Sequence, residues 1–76
     1  MIPPRRIPGG MVQKIIDVVG VSPESFAAAA ENAVKVAAES VHDIKWARVG
    51  DLEMELEGGI VKNYRATVHI YFDVKR

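Results

Sequence analysis

There is not one cysteine in the chain, which excludes both a disulfide framework and a zinc-thiolate centre. Charge of one sign is also missing, since ten basic residues balance ten acidic ones to a formal net charge of zero. Without a global field, neither nucleic acid nor an acidic membrane is a favoured partner. No apolar run approaches the roughly 20 residues of a membrane span, and no signal-peptide pattern is present, so the expectation is a soluble, cytoplasmic protein. Enzyme motifs are wanting too: there is no cysteine nucleophile, no glycine-rich phosphate loop and no pair of histidines at metal spacing, which argues against an enzyme. The 76 residues allow one domain. A domain so short buries too little surface to be comfortably stable alone, and with the covalent and metal staples absent, oligomerisation is the staple that remains.

What is present is best read from Ile60 to Val74. Tyr64, Ala66, Val68, Ile70, Phe72 and Val74 alternate with Arg65, Thr67, His69, Tyr71, Asp73 and Lys75. That two-residue period predicts a strand with one apolar face, the central strand of a small sheet. The other face is too mixed for plain solvent, because Thr67, His69 and Tyr71 interrupt the charges with residues suited to contacts or ligands. For His69 the expectation is a hydrogen-bonding role at an interface.

Upstream, residues 1–10 hold three prolines, Arg5-Arg6 and Gly9-Gly10, and read as a flexible tail before a domain spanning 11–76. Met11 to Val19 is rich in β-branched residues and reads as a strand, with Val12, Ile16 and Val18 on one side and Met11, Ile15 and Val19 on the other. Both of its faces are apolar, and one helix cannot cover both. Gly20 to Phe26 then reads as a strand-to-helix turn in which Gly20 releases the strand. Ser22 caps the helix, Pro23 takes the first helical position and Glu24 favours the positive end of the dipole. Positions 26, 30, 33, 34, 37, 41 and 44 form one apolar stripe at helical spacing, ending near His42 or Ile44.

Trp46 to Glu57 reads as the second strand, with a break in phase. Ala47 and Val49 hold one parity, whereas Leu52, Met54 and Leu56 hold the other. One extra residue at Gly50, a β-bulge, restores a continuous core face of Ala47, Val49, Leu52, Met54 and Leu56. The opposite face carries Trp46, Arg48, Asp51, Glu53, Glu55 and Glu57. A tryptophan facing away from the helix should meet a partner subunit or a flat ligand. The row Asp51, Glu53 and Glu55 offers oxygens for a hard cation, although at two-residue spacing it is more often a solvated strand face. Gly58-Gly59 closes a hairpin.

Direction fixes the topology. Strand, helix, strand and hairpin run up, down, up, down, so the first strand pairs antiparallel with the third. The expected fold is α+β: one β-α-β-β unit, a three-stranded antiparallel sheet of order 1-3-2 wrapped on one helix. A tight hairpin would bring Arg65 near Glu53 and Glu55, and the bulge would bring Trp46 toward Tyr71.

These residues carry a resemblance. Val18-Val19-Gly20, Ser22-Pro23-Glu24-Ser25-Phe26 opening an alanine-rich helix, Asp43-Ile44-Lys45-Trp46 with Val49 beyond, then Gly59, Tyr64 and Phe72 resemble the dodecin family across Met11 to Val74. The resemblance implies a protomer assembled into a hollow homododecamer that stores or buffers flavin, riboflavin or FMN, between symmetry-related tryptophans. It implies a flavin site built on Trp46, with Arg65 at the position of the family's ring-gripping glutamine and with Arg48 and Tyr71 beside it on the mixed face. Arginine only donates, so it suits the ring's carbonyl oxygens or a phosphate but cannot accept the imide hydrogen as glutamine can. Family members with arginine there include some associated with calcium. A flavin-free assembly that binds calcium through Asp51, Glu53 and Glu55, or acts as a scaffold, is the alternative.

Overall fold

Four elements follow one another in a computed structural model that describes residues 12–74: β1 (Val12–Ser22), α1 (Phe26–Ser40), β2 (Ile44–Glu57) and β3 (Ile60–Val74). The expected tail, residues 1–10, lies outside the described residues. The sheet is three-stranded, antiparallel and ordered β1-β3-β2, as strand direction required. The fold is thus α+β, with β3 in the middle.

The core is small and made of small residues. Ala66, Val68 and Ile70 of β3 are buried against Ala29, Ala33 and Ala37 of α1, with Ile16, Val18, Ala30, Val34, Ile44 and Tyr64 packed around them. Alanines bury little area each, but they let the helix sit close to the sheet. Gly20 belongs to this close approach: it does not release the strand, which runs on to Ser22, and a Cβ there would lie 1.8 Å from the Ala29 carbonyl oxygen. Phe26 and Tyr64 close one end with an edge-on ring contact at 5.0 Å.

The helix start differs from the expectation by one turn. Ser25, not Ser22, is the N-cap, and its hydroxyl accepts the N–H of Ala28 at 3.0 Å. Ser22 is still paired with Tyr64 in the ladder, and its Oγ instead accepts the N–H of Glu24 at 3.0 Å. Pro23 and Glu24 therefore form the bend before the helix. The C-terminus also falls earlier than expected: α1 stops at Ser40, and Ile44 opens β2 opposite Phe72. Asp43 makes that reversal with a positive φ of 63°, its carbonyl accepting the N–H of Asp73 at 3.1 Å.

The bulge is where the phase break put it. Val49 pairs with Val68 and Leu52 with Ala66, so Gly50 and Asp51 together oppose Thr67. Gly58 and Gly59 both have positive φ, the geometry of a tight hairpin turn. The face predicted for β2 is correct but its burial is not. Leu52, Met54 and Leu56 lie on the helix side of the sheet yet remain 52%, 50% and 59% exposed, because α1 lies over β1 and β3 and scarcely reaches β2. Ile15, Val19 and Val21 are likewise exposed on the far face of β1. A lone protomer leaves apolar surface in water on both sides of its sheet.

Candidate functional site

The face of the sheet turned away from α1 is organised in rows by the strand register. Ile15, Tyr71 and Trp46 make one row, and Asp17, His69 and Arg48 make the next. Thr67 then sits between Val19 and the bulge, and Arg65 between Val21 and Glu53. Cross-strand partners share a face, so the bulge is what places Trp46 and Arg48 on the same side as Glu53 and Glu55.

Trp46 is 65% exposed and stands directly across from Tyr71, with Ile15 on the other flank, giving a flat apolar strip. Arg48 is two residues from Trp46 on the same face. Of the residues expected at a ligand site, the structure brings Trp46, Tyr71 and Arg48 together. It does not bring Arg65 to them: from Tyr71 to Arg65 is six residues of β3, about 20 Å of strand. Trp46 and Arg65 are thus not neighbours on the face of one protomer.

The acidic row behaves differently. Glu53 faces Arg65 in the register, whereas Glu55 faces Asn63 and accepts a hydrogen bond from its Nδ2 at 2.8 Å. Asp51 lies in the bulge. No three acidic or histidine side chains converge as a metal site among the described residues, so Asp51, Glu53 and Glu55 of one protomer do not enclose a cation by themselves. Lys62 and Glu57 form an ion pair at 3.8 Å on the exposed hairpin tip, and His69 Nδ1 lies in hydrogen-bond contact with Asp17 at 2.6 Å.

His69 is a hydrogen bonder on the mixed face, as expected, but its partner lies within the protomer. Asp17 has no local sequence signal for this role. A longer-range signal was present in principle, since a β1–β3 register pairing Ile16 with Ile70 and Val18 with Val68 puts Asp17 opposite His69. No helix of the described residues is long and apolar enough to cross a membrane.

A two-layer unit with a helix over one face and an exposed tryptophan on the other defines the class of small β-α-β-β protomers. The Dodecin family model matches residues 12–75, and the chain belongs to the dodecin family. It is similar to the calcium dodecin of Mycobacterium tuberculosis, at 38% identity over 64 residues that cover 84% of this chain and 90% of the relative. The crystal structure of that calcium dodecin, a calcium-chelating antigen with a novel calcium-binding site, superposes with a TM-score of 0.74, covering 84% of this chain and 91% of its own. The dodecin from Streptomyces davaonensis superposes with a TM-score of 0.84 at 24% identity, covering 90% of this chain and all of its own, a likeness of fold.

Proposed function

We propose that this chain is a binding and storage protein, not an enzyme, which assembles into a homododecamer and holds flavin, riboflavin or FMN, on the open face of its sheet. The observation that carries the reading is Trp46, a large apolar ring 65% exposed and set in a flat strip with Tyr71 and Ile15. An indole so placed gains most by stacking on another flat ring. Exposed apolar residues on both sides of the sheet support burial against further copies. Flavin would supply the redox-active, light-absorbing ring, and the chain's own residues would bind and screen it.

Arg48 lies two residues from Trp46 on the same face, and Arg65 would reach the ligand from another copy. Both side chains suit the carbonyl edge of the ring or the phosphate of FMN, with two parallel N–H donors offered to a phosphate. The test is a titration of riboflavin and FMN into ligand-free protein, following quenching of flavin fluorescence. Saturable quenching supports the reading; flavin fluorescence unchanged at micromolar protein contradicts it.

A second reading is favoured by one observation, the 38% identity to a calcium dodecin. Here Asp51, Glu53 and Glu55 from adjacent copies would share a calcium ion, since hard cations take several oxygen ligands. Calorimetric titration with calcium tests it, and heat of binding that disappears in Glu53→Gln supports it.

A further inference from the structure

At His69 a side chain of the central strand engages both neighbouring strands on the open face. Across from it stand Asp17 on β1 and Arg48 on β2. Its Nδ1 lies 2.6 Å from the Asp17 carboxylate, a hydrogen bond that fixes the plane of the ring. The far edge of that ring fills the space over Gly50, where a Cβ would come within 2.8 Å of Nε2. Gly50 is thus a glycine for a packing reason, and its φ lies outside the positive region.

Gly50 also opens the bulge between Val49 and Leu52, and that bulge sets the phase of Trp46 and Arg48 relative to Glu53 and Glu55. Before it, Trp46 and Arg48 face away from the helix; after it, Glu53 and Glu55 do. A one-residue slip sends every side chain of the slipped segment to the other side of a sheet. A further register shift already lies between Ile44 and Trp46, so Trp46 to Val49 is a short segment between two shifts. Losing the one at Gly50 by a one-residue slip of this segment would turn the indole and Arg48 toward α1 and Ala47 and Val49 outward.

We infer that His69, oriented by Asp17, is the positioning residue that holds the bulge at Gly50 and so keeps Trp46 and Arg48 on the ligand face. The inference rests on the reading of that face as a flavin site, but its structural part can be read without flavin. Arg48 neighbours the imidazole without a described contact, so Asp17 is the group that orients the ring. The brace spans the sheet from one edge strand to the other.

The experiment uses the full-length assembled protein and two readouts: the emission spectrum of Trp46, the sole tryptophan, and the riboflavin dissociation constant. His69→Ala is expected to shift the emission of ligand-free protein and to weaken riboflavin about tenfold. His69→Gln, whose amide can still donate to Asp17, is expected to recover most of both effects. Gly50→Ala should also cost about tenfold when His69 is present, through overpacking against the ring, but less than about twofold in the His69→Ala background. Equal costs of Gly50→Ala in the two backgrounds overturn the inference. So does His69→Ala with unaltered Trp46 emission and a lowered melting temperature, which would make the pair a plain structural contact. If the wild-type protein binds no riboflavin, the flavin reading fails, and the same cycle read on Trp46 emission still decides whether His69 holds the bulge.

Discussion

Trp46 and Arg65 share the open face of the sheet, yet their strand positions stand about 20 Å apart along it, so they are not neighbours in one protomer. Tyr71 and Arg48 are the near neighbours of the indole. On the function proposed above, Arg65 of another copy would complete the site, and binding would then depend on assembly.

Assembly should depend on the apolar row that α1 leaves open. Met54 is 50% exposed in the protomer, so Met54→Glu opens no cavity in the core and should leave the protomer's own fold intact. Burying an unpaired carboxylate in an interface, by contrast, costs several kcal/mol. Sedimentation should show the large species replaced by smaller ones. An undisturbed large assembly would mean that this row does not lie between copies.

The close approach of β1 and α1 makes Gly20 intolerant. An added Cβ would meet the Ala29 carbonyl oxygen, a backbone atom that cannot step aside without shifting the helix. Gly20→Ala should cost upward of about 1–3 kcal/mol and lower the melting temperature clearly. A melting curve matching that of the wild type would show that helix and strand are further apart than described.

Capping separates the two serines at the start of α1. Ser25→Ala removes the acceptor for the Ala28 N–H and should destabilise the chain by about 1 kcal/mol, whereas Ser25→Asp keeps an acceptor and should be near neutral. Denaturant midpoints for the two variants check this. Equal loss in both would point to the Ser25 hydroxyl acting other than as a cap.

Much of this architecture is legible in the residues. The alternation through β3 announces the core face on which Ala66, Val68 and Ile70 are buried, and the parity change at Gly50 announces the bulge. Strand order follows from direction once all neighbours pair antiparallel. What stayed hidden depends on register between strands far apart in the chain. Ser22 and Ser25 are equally good caps by type, and only the pairing of Ser22 with Tyr64 shows that the strand has not yet ended. Asp17 meets His69 across 52 residues of sequence, a juxtaposition no local pattern encodes. The separation of Trp46 from Arg65 is of the same kind: shared parity reveals a shared face, not a shared site. Ala29, Ala33 and Ala37 stand four residues apart on one helix face, and the missing side chain of Gly20 lets Ala29 come close to β1.

Cations should stabilise the assembly if acidic rows from several copies meet. Like charges of Asp51, Glu53 and Glu55 crowded around one axis repel, and a divalent ion relieves them. The melting temperature should then fall in chelator and recover on adding calcium. An identical midpoint in both buffers would leave these carboxylates as a solvated strand face.

On the proposed function, flavin would stack on Trp46. Stacking of a flat base on an aromatic side chain contributes about 1–3 kcal/mol, so Trp46→Ala should weaken riboflavin binding by about tenfold or more while the assembly survives. Arg65→Gln restores an acceptor for the imide hydrogen and should tighten riboflavin if Arg65 of another copy reaches the ring edge; for FMN the gain should be smaller or reversed if Arg65 holds the phosphate. The most direct measurement is the riboflavin dissociation constant of Trp46→Ala against wild type, on protein shown by sedimentation to have the same size. A constant at least tenfold higher is the predicted result. An unchanged constant would contradict the account and leave Trp46 as a residue between subunits.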